Sequence, residues 1–131
     1  MKLLLAGGGT AGHINPALSI AAYAKKMDGD TQVLFIGKRG NMEETLVPKA
    51  GYDMEYIDIA GFRRSLSLQN ISVIFKTLKA TRDCKRIIRS FEPDVVICTG
   101  GYVSGPVLKE AQRLGFKTAI HEQNAYPGVT T

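Results

Sequence analysis

Short apolar runs alternate with longer stretches of helical periodicity along the whole chain. The apolar runs predict five strands, at 3–6, 32–36, 52–59, 95–98 and 117–120. The stretches between them predict four helices, at about 14–27, 42–50, 71–91 and 107–114. This regular alternation favours an α/β fold, a Rossmann-like, doubly wound parallel sheet with strand order 3-2-1-4-5.

Local residues suggest how two of the helices begin. Pro16 suits the first turn of the first helix, where its missing amide hydrogen has no cost. Asn41 is a good cap for the second helix, and Glu43 and Glu44 then fall in its first turn, where the helix dipole favours carboxylates.

A glycine-rich loop follows the first predicted strand directly. Gly7, Gly9 and Gly12 satisfy G-x-G-x-x-G and precede a helix, an arrangement that brings a ligand close to backbone amide hydrogens. The pattern alone also fits a strand-to-helix turn that binds nothing. His13 lies at the mouth of this loop, and its imidazole is a group that a proton-transfer reaction needs and a dinucleotide loop does not.

A dinucleotide loop also needs an acidic residue about 20 positions further on, at the end of the second strand. That strand instead leads into Gly37, Lys38 and Arg39, which argues against NAD. Lys38 and Arg39 suit the 2′-phosphate of NADP, so an NADP-binding oxidoreductase domain stays an alternative.

Two further polar segments follow the fourth and fifth predicted strands. Residues 99–106 read TGGYVSGP, and residues 121–124 read HEQN. In open α/β sheets a ligand binds beyond the carboxyl ends of the strands, where the strand order switches. The predicted switch lies between strands one and four, so we expect these segments and the first glycine loop to converge on one crevice.

Together, residues 8–13, 99–106 and 121–124 resemble the MurG family of peptidoglycan glycosyltransferases, in order and spacing along the whole chain. The resemblance implies an inverting hexosyltransferase of GT-B fold that moves N-acetylglucosamine from UDP-GlcNAc to lipid I, giving lipid II. It further implies that residues 1–131 are the N-terminal, acceptor-binding domain, inactive without the donor domain. The family's first loop usually reads GGTGGH; here Ala11 takes the fourth place, so we expect a right-handed or unstrained backbone there.

The resemblance also implies a role for individual residues. His13 is expected to be the general base that deprotonates the 4-hydroxyl of the muramyl sugar. The residues expected to bind the donor are Thr10, Ala11, Gly12 and Asn124. Those expected to bind the acceptor and its diphosphate, largely through backbone amides, are Gly9, Gly100, Gly101, Tyr102, Ser104, Gly105 and Glu122. By analogy with GT-B enzymes, no metal and no cofactor are expected.

Length, charge and cysteine content add weaker constraints. A chain of 131 residues fits one domain, and a net charge of +5 favours an anionic partner. Cys84 and Cys98 show no metal-binding spacing and are expected to be reduced thiols in the cytosol. No signal peptide is predicted, and no apolar run approaches the roughly 20 residues of a membrane span. Nucleic acid is not an expected partner, because the chain has no recognition motif.

The predicted helix at 71–91 combines an apolar stripe with many basic residues. It is either a core stripe with a solvated basic side or a docking surface for an anionic membrane. We define the membrane face as Phe62, Arg63, Arg64, Ile71, Ile74, Phe75, Lys76, Leu78 and Lys79. Because the resemblance implies a membrane-bound acceptor, we expect a peripheral protein at the cytoplasmic face of the bacterial cell membrane. A non-catalytic tethering subunit is a further alternative.

Overall fold

In the computed structural model of the chain, residues 1–58 and 71–121 are described, and for 71–77 the backbone alone is described. Strands and helices alternate through these residues. They are β1 (Lys2–Gly7), α1 (Ala11–Met27), β2 (Gln32–Gly37), α2 (Glu43–Lys49), β3 (Asp53–Tyr56), α3 (Ile71–Phe91), β4 (Val95–Gly100), α4 (Ser104–Arg113) and β5 (Thr118–Ile120).

The described strands form one parallel sheet in the order β3-β2-β1-β4-β5, which confirms the predicted topology. β1 is central and pairs with β2 from Lys2–Gln32 to Ala6–Ile36. On its other side β1 pairs with β4, and the register shifts between Ala6 and Gly7. The strand order therefore switches between β1 and β4, directly before the two glycine loops.

Two apolar clusters cover the two faces of the sheet. Leu3 and Leu5 pack with Ile14 of α1 on one face, whereas Leu4 and Ala6 pack with the α3 and α4 residues on the other. Neighbouring side chains of a strand point to opposite faces, so β1, which is apolar from Leu3 to Ala6, is buried on both sides.

α1 begins three residues earlier than predicted, at Ala11 rather than at residue 14. Thr10 is the N-cap residue with an extended backbone, and its carbonyl accepts the amide hydrogens of His13 and Ile14. Pro16 consequently lies inside the helix, so the prediction of a first-turn proline is wrong. The expectation for Ala11 is confirmed, because Ala11 has a right-handed helical backbone.

The other differences are local. Asn41 does not cap α2: the N-cap residue is Met42, no side chain caps the helix, and the Asn41 amide instead donates to the Glu43 carboxylate at 3.4 Å. α4 starts at Ser104, three residues before its predicted start, so Gly105 lies in its first turn. β3 ends at Tyr56, earlier than predicted.

Candidate functional site

The two glycine loops are in direct contact at the carboxyl edge of the sheet. The Gly8 amide donates to the Gly100 carbonyl at 3.2 Å. The Thr99 hydroxyl donates to the His13 carbonyl at 2.6 Å, which joins the end of β4 to the first turn of α1. A side chain at position 101 would collide with the Gly8 backbone. The predicted convergence of the first two segments is therefore confirmed.

The half-buried imidazole of His13 lies between these loops. Its Nδ1 is 3.1 Å from the Gly8 carbonyl oxygen and 3.2 Å from the Thr10 hydroxyl oxygen. Because a carbonyl oxygen only accepts hydrogen bonds, the contact with Gly8 is a hydrogen bond in the tautomer whose Nδ1 carries the hydrogen, and in that neutral ring Nε2 carries the lone pair. The tautomer that this contact favours can accept a proton at Nε2.

Gly100 forms the surface against which the His13 ring packs. A Cβ atom at position 100 would lie 2.9 Å from Nε2 of His13 and closer still to Cδ2. The backbone of Gly100 has φ +120° and that of Gly101 has φ +95°, a region that side-chain-bearing residues rarely adopt. Both glycines are required by conformation as well as by space.

Ser104 holds the second loop rather than offering its hydroxyl to a ligand. Its buried Oγ accepts the Gly100 amide at 3.0 Å and lies within donating distance of the Gly100 carbonyl (2.9 Å) and the Ala6 carbonyl (3.0 Å). The Ser104 amide donates to the Gly101 carbonyl. In this structure the Gly100 amide, the Ser104 amide and the Ser104 hydroxyl therefore have internal partners, contrary to the expectation that they face a diphosphate.

Glu43, predicted only to favour the dipole of α2, also supports the first glycine loop, a role that the sequence does not predict. Its side chain is completely buried, and its Oε1 accepts the Gly9 amide at 3.0 Å. The Gly9 amide is thus already used, so it is not part of an open anion cradle here. One signal for this role was present in the sequence: Glu43 follows closely after Gly37, the last residue of β2, and Gly40 in the turn after it. The sequence does not show, however, that this turn lies next to Gly9.

The remaining predicted site residues are either exposed at this edge of the sheet or lie outside the described residues. Thr10, Gly12, Gly101, Tyr102 and Gly105 are exposed at this edge, and Tyr102 is 59% exposed. Glu122 and Asn124 lie outside the described residues. The His121 amide donates to the Cys98 carbonyl at 2.9 Å, so the chain leaves β5 beside β4. Within 1–58 and 71–121, no group of three His, Cys, Asp or Glu residues is arranged to hold a metal ion.

Comparison with known proteins identifies the family. The N-terminal domain of glycosyltransferase family 28 matches residues 3–131. The chain belongs to glycosyltransferase family 28. The family 28 assignment confirms the predicted fold class, the N-terminal half of a GT-B glycosyltransferase.

Two relatives of this family 28 chain carry the name of the same transferase. The chain is 50% identical over 130 residues to the UDP-N-acetylglucosamine--N-acetylmuramyl-(pentapeptide) pyrophosphoryl-undecaprenol N-acetylglucosamine transferase of Limosilactobacillus fermentum, covering 99% of this chain and 35% of the relative. A transferase of the same name from Bacillus thuringiensis is 49% identical, with 99% and 36% covered. The crystal structure of Acinetobacter baumannii MurG superposes with a TM-score of 0.83 at 34% identity, covering 98% of this chain and 37% of that one. The chain therefore spans about a third of the length of these relatives.

After β2 of this family 28 domain, the Arg39 side chain and the Lys38 backbone amide have partners. The Arg39 guanidinium lies 4.0 Å from the centre of the Tyr56 ring and pairs with Glu44 at 3.3 Å. The Lys38 amide donates to Glu43 at 3.0 Å. Neither the family nor the relatives favour the NADP-binding alternative.

The membrane face is described only in part. Phe62, Arg63 and Arg64 lie outside the described residues, and so do the side chains of Ile71, Ile74, Phe75 and Lys76. Leu78 is 56% exposed and Lys79 is exposed, so a core position for Leu78 is wrong. Further along α3 the buried residues are Ala80, Cys84, Ile87 and Ile88. None of the described helices is long and apolar enough to cross a membrane.

Proposed function

We propose that this domain is the acceptor-binding half of an inverting transferase that moves N-acetylglucosamine from UDP-GlcNAc to the 4-hydroxyl of the MurNAc residue of lipid I. The observation that carries the proposal is the His13 imidazole, set between two glycine loops with its Nδ1 engaged by the Gly8 carbonyl. The names of the relatives supply the substrates, since each is a transferase of N-acetylglucosamine to a pyrophosphoryl-undecaprenol acceptor.

In the proposed reaction the acceptor hydroxyl gives its proton to Nε2 of His13 as its oxygen attacks the anomeric carbon. The new carbon–oxygen bond forms on the face opposite UDP, the bond to UDP breaks, and UDP leaves as a diphosphate with the anomeric configuration inverted. The resulting imidazolium keeps its Nδ1–H directed at the Gly8 carbonyl, a hydrogen bond that strengthens when the ring is charged. A base of this kind contributes about 10²–10⁴-fold to the rate.

Exposure supports the proposed binding roles only for the described residues Thr10, Gly12, Gly101, Tyr102 and Gly105. For the donor we propose Thr10, Ala11, Gly12 and Asn124. For the diphosphate of the acceptor we propose the exposed Gly101, Tyr102 and Gly105 at the start of α4, together with Glu122. Gly9, Gly100 and Ser104 support this site from within the loops, because the Gly9 and Gly100 amides and the Ser104 hydroxyl already bond within the protein.

We also propose that the membrane face docks on the anionic cytoplasmic leaflet, where a lipid-linked acceptor is found. The exposed Leu78 and Lys79 support this proposal, and each basic residue near the surface would contribute about 1 kcal/mol. Co-sedimentation with anionic vesicles should fall when Arg63, Arg64, Lys76 and Lys79 are changed to Glu. Lys26→Glu, an exposed change on α1 across the sheet, is the control. Equal binding by the wild type and the quadruple variant would refute the docking proposal.

The deciding experiment is a transfer assay with the full-length parent protein, labelled UDP-GlcNAc and lipid I. We expect label to enter lipid II only when both substrates are present. The 131-residue chain alone should give no product, because it spans about a third of its relatives. Tight binding of NADPH together with no transfer by the full-length protein would instead support the oxidoreductase alternative.

A further inference from the structure

Glu43 is a completely buried carboxylate whose partners are nitrogen–hydrogen groups from two loops. Oε1 accepts the Gly9 amide at 3.0 Å, and Oε2 accepts the Lys38 amide at 3.0 Å and the Asn41 side chain at 3.4 Å. No ion pair with Glu43 occurs among the residues that the structure describes. A buried charge is tolerated only when it is well hydrogen-bonded, so these donors fix the position of the carboxylate.

The space around this carboxylate is closed. A side chain at position 8 or at position 37 would collide with Glu43, because both glycines pack directly against it. Glu43 therefore joins the loop after β1 to the loop after β2, and neither loop has room to shift towards it. The carboxylate acts as a rigid support under the first glycine loop.

The Gly9 amide and the Gly8 carbonyl belong to the same peptide group. The structure has no cis peptide bonds among its described residues, so this planar group directs its N–H and its C=O to opposite sides. Its N–H meets Glu43, and its C=O meets Nδ1 of His13 at 3.1 Å. A charge-assisted bond at the N–H polarises the amide and makes its carbonyl oxygen a stronger acceptor.

We propose that Glu43 is a positioning residue for His13 and acts through the Gly8–Gly9 peptide group. Glu43 fixes the orientation of that peptide and strengthens its carbonyl as the acceptor of the Nδ1–H hydrogen bond. The peptide in turn holds the imidazole in the tautomer whose Nε2 can take a proton. The kinetic part of this inference rests on the proposed transferase function, whereas the tautomer of His13 does not.

The test uses the full-length protein with ¹⁵N-labelled histidine and glycine and compares the wild type with Glu43→Gln. The glutamine amide has nearly the same shape, but it is neutral and has one acceptor oxygen instead of two. We expect wild-type His13 to be protonated at Nδ1, and the Gly9 amide proton to be shifted downfield by the carboxylate. In Glu43→Gln we expect a mixture of tautomers, an upfield shift of the Gly9 amide proton, and kcat about 10- to 100-fold lower per folded molecule.

The control is Glu44→Gln, which removes the same charge one residue further along. Glu44 bonds the Gly40 amide at 2.8 Å and Arg39, and makes no contact with the first glycine loop. This variant should leave the tautomer of His13 and kcat unchanged. Equal effects of the two variants, or a wild-type tautomer in folded Glu43→Gln, would overturn the inference.

Two further readouts keep the outcomes separate. If Glu43→Gln does not fold, the wild-type spectrum decides, because a Gly9 amide proton without a downfield shift, or a ring protonated at Nε2, contradicts the inference. If the wild type transfers no sugar, the proposed function fails while the spectra still test the contact between Glu43 and His13.

Discussion

The two glycine loops meet at one edge of the sheet, but different parts of the chain hold them in place. The loop after β4 is held by its own helix, since Ser104 bonds Gly100 four residues before it. The loop after β1 is held by Glu43, which is 34 residues away from Gly9 in sequence. One loop is therefore supported locally, and the other depends on correct packing of α2.

The two loops also contribute differently to the position of the His13 ring. The locally supported loop presents a fixed backbone surface at Gly100, against which the His13 ring packs. The loop supported from a distance carries the His13 partners, the Gly8 carbonyl and the Thr10 hydroxyl. The position of the imidazole thus depends on both loops at once, and a change in either one should reach the proposed base.

The largest effect is expected from Gly100→Ala, which breaks the contact between the loops. The added methyl group would overlap the His13 ring, and the alanine backbone would have to adopt φ +120°. We expect the transfer rate of the full-length protein to fall by about 10²–10⁴-fold, the contribution of a general base. Gly29→Ala is the matched control, because position 29 has open space. Full activity of Gly100→Ala would show that the ring does not need this surface.

A smaller effect is expected from Ser104→Ala, which removes the hydroxyl that holds the second loop and contacts the Ala6 carbonyl at the end of β1. The Gly100 amide would lose its acceptor, at a cost of about 1–3 kcal/mol for a group left unpaired in the interior. Native-state hydrogen exchange of that amide in the full-length protein should become about 5- to 150-fold faster. Ser90→Ala, on the exposed side of α3, should change nothing. An unchanged exchange rate at Gly100 would mean that another group holds the loop.

The smallest effect at neutral pH is the contribution of the two buried thiols, Cys84 and Cys98, to the pH dependence of stability. The Cys98 thiol donates to the Ser104 carbonyl at 3.6 Å. Burial raises the pKa of Cys98 to about 12, and burial followed by the Glu110 charge raises the pKa of Cys84 to about 12. Between about pH 9 and pH 12 the unfolded thiols ionise while the folded ones stay protonated. The folded state then binds more protons, so stability falls as pH rises, by about 1.4 kcal/mol per pH unit for each thiol.

Urea unfolding of the full-length protein at pH 8, 9 and 10 measures this dependence. The wild type should lose stability between pH 9 and pH 10, and Cys84→Ala/Cys98→Ala should lose less over the same interval. Both proteins should show little dependence between pH 8 and pH 9. Parallel curves for the two proteins would indicate that these thiols are not the groups that titrate.

The general plan of the fold was predictable, because regular alternation of apolar runs and helical stretches constrains a parallel sheet and its strand order. Helix starts were less predictable: Thr10 acts as the N-cap residue although its side chain makes no capping bond, so no sequence motif marked the start of α1. The role of Glu43 could not be predicted, because it depends on the distance between two loops rather than on a local pattern. The placement of Tyr102 and Gly105 as ligand contacts stays a prediction.

The most direct test of the account is kcat/KM of the full-length protein for lipid I at saturating UDP-GlcNAc, in the wild type and in His13→Gln. Glutamine can still donate a hydrogen bond to the Gly8 carbonyl, but it cannot take a proton from the attacking hydroxyl. We predict a fall of about 10²–10⁴-fold with unchanged UDP-GlcNAc binding. Activity of His13→Gln within threefold of the wild type would contradict the assignment of His13 as the general base.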